Sequence, residues 1–176
     1  IELDAIADLT RDVFGPVLHV IRYRREDLDQ LVDEINATGY GLTFGLHTRL
    51  DETIAHVTRR VKAGNLYINR NVIGAIVGVQ PFGGGRLSGT GPKAGGPLYL
   101  KRLIRHARVL NAPGAAHVDP ALVDLAQWLD DLGEPDIARI ARQLGAASPL
   151  RLAEELPGPV GERNLYAVRP RGSILL

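Results

Sequence analysis

Leu42-Thr43-Phe44-Gly45-Leu46-His47-Thr48 and Leu66-Tyr67-Ile68-Asn69 are two apolar, strand-like runs, and a helix-like segment opening at Asp51 lies between them. In that segment Ile54, Val57 and Val61 recur at the spacing of one helix face. Asp51 stands where a cap is expected and Gly64 where the helix should close. Upstream, residues 26–37 carry Leu28, Leu31, Val32 and Ile35 at i, i+3, i+4 and i+7, with acids in the first turn and Gly39 at the stop. Residues 17–23 alternate and are rich in branched apolar side chains, so they read as a further strand. Strand, helix, strand, helix, strand predicts an α/β fold of parallel strands with right-handed crossover helices.

The last of these strands runs into Asn69-Arg70-Asn71-Val72-Ile73-Gly74-Ala75-Ile76-Val77-Gly78-Val79-Gln80-Pro81-Phe82-Gly83-Gly84-Gly85. Asn, Arg and Gln supply hydrogen-bonding groups there. Gly74 and Ala75 leave backbone N–H groups bare enough for close approach. Phe82 sets a large apolar face on backbone that can turn sharply. At the carboxyl end of a parallel strand this reads as a binding loop. A glycine-rich surface connection is the plain alternative, and composition does not separate the two.

Working outward again, residues 1–16 are acidic and then turn-like, ending in Asp12-Val13-Phe14-Gly15-Pro16. An acid two residues before an aromatic is ordinary turn chemistry, but it also suits a sugar diol beside a flat heterocycle. Downstream, Pro97 suits the first turn of a helix reaching about His106. Pro113-Gly114-Ala115-Ala116 looks like a linker. Helices are then expected from Asp119-Pro120, with Leu122, Leu125, Ala126 and Leu129 buried, and from Pro135, with Ile137, Ile140, Ala141 and Leu144 buried. A third, shorter one is expected at Ser148-Pro149. After Pro157-Gly158-Pro159, residues 164–169 and 173–176 read as a hairpin.

The net charge of +1, spread over the chain, gives no reason to expect nucleic acid or an anionic membrane. No apolar run approaches the length of a membrane span. The absence of Met, and an apolar last run that needs a pairing neighbour, read as an interior piece of a longer protein. With no Cys there are no disulfides, no thiolate metal sites and no thiol nucleophile within these residues. His19, His47, His56, His106 and His117 show no ligand spacing, so no zinc site is expected. Gly83-Gly84-Gly85 and the run from Ser88 to Lys93 miss the Walker spacing of a phosphate loop. Arg59, Arg60 and Lys62 read as a solvated helix face.

Three motifs together resemble the C-terminal part of an aldehyde dehydrogenase catalytic domain. They are Asp12-Val13-Phe14-Gly15-Pro16, Gly64-Asn65-Leu66-Tyr67-Ile68-Asn69, and Pro81-Phe82-Gly83-Gly84 with Ser88-Gly89-Thr90-Gly91. Asn69-Arg70-Asn71, Val77-Gly78-Val79-Gln80 and Pro92-Lys93-Ala94-Gly95-Gly96-Pro97 resemble glutamate-semialdehyde (pyrroline-5-carboxylate) dehydrogenases. Leu156-Pro157-Gly158-Pro159-Val160-Gly161-Glu162-Arg163-Asn164 and Pro170-Arg171-Gly172 resemble the segment that follows that domain in the bifunctional proline utilization A proteins.

The resemblance implies NAD⁺-dependent oxidation of L-glutamate γ-semialdehyde to L-glutamate in proline catabolism. In such enzymes a cysteine thiolate attacks the aldehyde, hydride passes to the nicotinamide, and a glutamate base assists hydrolysis of the thioester. By the same resemblance Asp12 holds the nicotinamide ribose and Phe14 packs near the nicotinamide. Gly74 and Ala75 bind the α-carboxylate through backbone N–H groups, and Phe82 lines the aliphatic stem. FAD is implied only in an upstream proline dehydrogenase domain. The family usually has Glu where this chain has Asp12, which is one methylene shorter.

The implied organisation is residues 1–110 as the end of the catalytic domain, 111–160 as a helical connector, and 161–176 as the start of a C-terminal domain. The implied whole is a cytoplasmic homo-oligomer, at most peripheral at a membrane, and this piece alone is inactive because its nucleophile lies elsewhere. An aldehyde dehydrogenase for another short semialdehyde, or a non-catalytic assembly region, are the other readings.

Overall fold

A computed structural model describes residues 1–89, 91–104, 119–150 and 152–170. Two compact units emerge, one of residues 1–76 and 82–96, the other of residues 77–81 and 97–176.

The first unit is built on a βαβ element. Strand β3 (Thr43–Leu46) and strand β4 (Asn65–Ile68) pair in parallel, Thr43 opposite Asn65 and Leu46 opposite Ile68. Helix α2 (Asp51–Arg60) connects them, and helix α1 (Leu28–Ala37) precedes β3. Val32, Val57 and Val61 form the buried core, with Leu28, Phe44, Leu46 and Leu66 packed against it. Strand alternation then decides which residues face away from the helices. Asn65 and Tyr67 are buried on that other face, and Gly45 and Thr43 lie beside them in register. The α/β reading and its βαβ unit are therefore present as expected.

Three local expectations are corrected. Of residues 17–23 only β2 (Val20–Ile21) is a strand, and it pairs in parallel with β1 (Glu2–Leu3) rather than with β3. Asp51 is the first helical residue and Leu50 occupies the cap position, so Asp51 acts on the helix dipole and not as a side-chain cap. Helix α2 ends at Arg60, where Val61 is already extended, and so Gly64 does not close it. Gly39, at φ +83°, does follow the end of α1 as expected.

The second unit contains helix α3 (Pro120–Asp131) and helix α4 (Pro135–Ala146), packed side by side through a turn at Gly133, φ +79°. Asp119 caps α3 by accepting a hydrogen bond from the Ala121 N–H at 3.0 Å, as predicted. The buried faces match expectation only in part, with Ala126 and Ala141 buried as expected and Leu122 and Leu129 half-buried. Ala126, Ala138, Ala141 and Gly145 are buried, while Leu125, Ile137, Ile140 and Leu144 are exposed. Small residues let two backbones approach closely and so hold the seam between these helices.

Two further elements differ. Among the described residues 97–104 there is a 3₁₀ turn at Leu100–Arg102 rather than a helix, and 105 and 106 lie outside the described residues. In place of a short helix at Ser148-Pro149, a turn leads into β5 (Ala153–Leu156), the antiparallel partner of β6 (Asn164–Ala167). The hairpin is therefore closed by the segment before Pro157-Gly158-Pro159. Residues 171–176, and the linker at 113–116, lie outside the described residues. No described helix is long and apolar enough to cross a membrane.

Candidate functional site

The chain leaves β4 through Asn69, a non-glycine residue at φ +54°. That conformation carries a steric cost, and two side-chain hydrogen bonds oppose it. Asn69 Oδ1 accepts from the Thr48 N–H and Asn69 Nδ2 donates to the Thr48 carbonyl, both at 3.0 Å. The departing loop is thereby pinned to the end of β3. Val72 then folds back over Gly45, where a Cβ would lie 2.5 Å from Val72 Cγ1. Arg70 lies over the Tyr67 ring at 4.9 Å.

Gly74 and Ala75 come next, in irregular backbone outside any strand ladder and half-buried. A Cβ built on Gly74 meets nothing within 4 Å, so the space beside that peptide is open. Beyond it, residues 77–81 belong to the second unit. There Gln80 Nε2 donates to Glu162 Oε2 at 3.1 Å and to Asn164 Oδ1 at 3.2 Å. Gln80, read from sequence as a hydrogen-bonding group of the loop, is thus engaged with the hairpin.

Phe82 is held by a pair of backbone hydrogen bonds to Ala94, 3.0 Å and 2.9 Å, and is half-buried. Behind it, the Gly83 N–H donates to Asn65 Oδ1 at 3.2 Å. Lys93 Nζ donates to that same oxygen at 2.9 Å, to the Gly83 carbonyl at 2.8 Å, and to the Gly64 carbonyl. Burial pushes the Lys93 ammonium down to about 8. The three oxygens act the other way, since each favours the charged form. The remaining ends are tied by the Gly41 carbonyl, which accepts from the N–H groups of Gly64 (2.9 Å) and Gly85 (2.8 Å).

Asp12 and Phe14 stand at a different place, the wall of a cleft of about 510 Å³ in the first unit. Its other walls include Asn36, Thr38, Phe44, Val61 and Ser88. Phe14 is 91% exposed, so most of its ring is presented to solvent. Asn36 is committed to structure. It donates to the Arg60 carbonyl at 3.0 Å and accepts from the Lys62 N–H at 2.9 Å, which caps the end of α2.

Asp12 and Phe14 therefore share one cleft, and Gly74, Ala75 and Phe82 are not among its lining residues. Sequence reasoning missed Lys93 and Asn65. Lys93 stood in a glycine-rich run that failed the phosphate-loop spacing, and nothing local to it marks a partner on β4. His56 is satisfied, as expected, by Asp29, whose carboxyl it holds below the usual range with help from Arg60. Arg60, read as solvated, in fact pairs with Asp33 at 2.9 Å and Asp29 at 3.3 Å.

The model of the aldehyde dehydrogenase family matches residues 6–109. The bifunctional protein PutA of Rhizobium meliloti is 69% identical over 176 residues, all of this chain and 14% of that protein. The 1-pyrroline-5-carboxylate dehydrogenase of Bacillus subtilis (strain 168) is 46% identical over 92 residues, 52% of this chain and 18% of that one. A crystal structure of Bradyrhizobium japonicum proline utilization A aligns with a TM-score of 0.56 at 60% identity, over 57% of this chain and 10% of that one. The chain spans about one seventh of the length of the bifunctional relatives it matches.

Proposed function

The chain belongs to the aldehyde dehydrogenase family, and from that premise we propose that it forms part of a bifunctional proline-catabolic enzyme, where it helps bind L-glutamate γ-semialdehyde for NAD⁺-dependent oxidation to L-glutamate. One observation carries the reading. The family match over residues 6–109 coincides with 69% identity to a bifunctional PutA across the whole chain. The family match ends at residue 109, which supports reading residues 1–110 as the end of the catalytic domain; in the same reading 111–160 is a connector and 161–176 the start of a C-terminal domain.

A cofactor with a ribose diol and a flat ring suits the cleft, which pairs the Asp12 carboxylate with the exposed face of Phe14. In this reading Asp12 accepts hydrogen bonds from the ribose hydroxyls and Phe14 packs near the nicotinamide. NAD⁺ supplies the hydride acceptor when bound. Gly74 and Ala75 hold the substrate α-carboxylate through main-chain N–H groups, which need no side-chain ordering and do not titrate. The open space beside Gly74 and its position outside any ladder support that role. Phe82 shields the hydrocarbon stem.

The chain contains no cysteine. We therefore assign the nucleophile, the general base and the wall that joins the two groups of residues to the rest of a longer cytoplasmic protein, whose proline dehydrogenase domain carries FAD. These 176 residues alone are then inactive. The test is Ala75→Pro in the full-length enzyme, which removes one donor and fixes φ. The expected result is a semialdehyde KM raised roughly ten-fold or more, the effect of losing a hydrogen bond to a charged group, with the NAD⁺ KM little changed. An unchanged semialdehyde KM overturns the anchor assignment. A second reading, assembly into a homo-oligomer through the second unit, is favoured by the exposed Trp128, Ile140 and Leu144.

A further inference from the structure

Lys93 lies outside the residues assigned above to substrate and cofactor, yet its ammonium has three donors and meets three oxygens. They are the Gly64 carbonyl, Asn65 Oδ1 and the Gly83 carbonyl. Two of them belong to the entrance of β4 and the third to the residue that follows Phe82. Asn65 is 8% exposed, and its Oδ1 also accepts from the Gly83 N–H. Lysine, asparagine and loop therefore form a closed triangle beneath the glycine-rich turn. The aliphatic stem of Lys93 fills the triangle, its Cα and Cγ standing 3.3 and 3.4 Å from where a Gly83 Cβ would be. On its other side Phe82 is paired with Ala94, the residue next to Lys93.

The backbone on both sides of the Phe82 ring is thus set by residues 93 and 94. A flexible glycine triplet has no intrinsic reason to hold an aromatic in one place. Water under the loop would satisfy the same carbonyls without fixing their spacing, whereas one ammonium on three acceptors fixes all of them at once. We infer that Lys93 is a positioning residue, clamping the Phe82 loop onto the start of β4 so that the ring stands where the semialdehyde stem must pass. The inference rests on Phe82 contacting the substrate, as proposed above.

Lys93→Met keeps the stem and removes every donor. In full-length enzyme it raises hydrogen exchange of the peptide spanning residues 82–89 and raises the semialdehyde KM roughly ten-fold, with kcat and the NAD⁺ KM within about two-fold. Lys93→Arg, which restores donors and charge, recovers most of the KM. Should Lys93→Met fail to fold, Lys93→Leu, which likewise carries no donor, is read the same way. Unchanged exchange at 82–89 overturns the clamp. Raised exchange with an unchanged semialdehyde KM, while Phe82→Ala raises that KM, overturns the positioning role. If Phe82→Ala leaves the KM untouched, the substrate reading of Phe82 fails and the positioning role fails with it, while the exchange result still decides whether the clamp exists.

Discussion

A methyl group added at Gly64 has no room, because an ideal Cβ there would stand 1.9 Å from the Gly83 carbonyl oxygen. The obstacle is backbone, and the same oxygen is held by Lys93. Gly64→Ala therefore displaces the Phe82 loop, at a cost of roughly 1–3 kcal/mol for forced overpacking. The expected readout in the full-length enzyme is earlier thermal inactivation together with a higher semialdehyde KM. Unaltered inactivation and KM would show that the loop has slack. Glycine at 64 was legible in the sequence, but its reason was not. A helix stop is a local property, whereas this close approach joins positions distant in the chain. Gly39, whose positive φ follows directly from the end of α1, was readable for that reason. Asp12 and Phe14 are two residues apart, so the resemblance could pair them from sequence, and the structure sets both on the wall of one cleft. Lys93 was not legible, since its partners Gly64 and Asn65 come from another element.

At the scale of elements, α1, α2, β3 and β4 were legible because their apolar periods are complete within each segment. Their energetics follow the same pattern. Val32 and Val57, both 1% exposed, meet in the core between the two helices and the sheet. The ion pairs of Asp29 and Asp33 with His56 and Arg60 lie at the surface of the same helix pair. Such exposed pairs are screened and add little, so Val57→Ala should cost roughly 2 kcal/mol while Asp29→Asn costs much less. Amide exchange in α2 of the full-length protein checks this: about thirty-fold faster for Val57→Ala and nearly unchanged for Asp29→Asn. A larger effect from Asp29→Asn would place the stability of the helix pair in its charges. Pairing partners were less legible, because a strand's pattern shows which face is buried and not which strand lies beside it. Hence neither the pairing of β2 with β1 nor that of β6 with β5 is foreseen by the pattern.

For the whole molecule, the informative surprise is the face of α3 and α4 that stays open. Period places Ile137, Ile140 and Leu144 inside together with Ala126 and Ala141, yet only the small residues Ala126, Ala138, Ala141 and Gly145 are buried. Alanine and glycine permit a tight seam, and the large side chains are left facing away from it. Trp128, Leu132, Ile140 and Leu144 are each between 47% and 60% exposed. Scattered apolar residues on a surface need no explanation, but several large ones on one helix pair call for a cover. The chain covers only about one seventh of its bifunctional relatives, so that cover has two sources, the remainder of one polypeptide or a second copy. Assembly through this unit predicts that full-length protein truncated before Val118 elutes on size exclusion as a smaller assembly than intact protein. Elution at an unchanged oligomeric order places the cover within the same polypeptide. Paired Ile140→Glu and Leu144→Glu changes then separate the cases further, because a charge on a face between copies splits the assembly without unfolding either subunit.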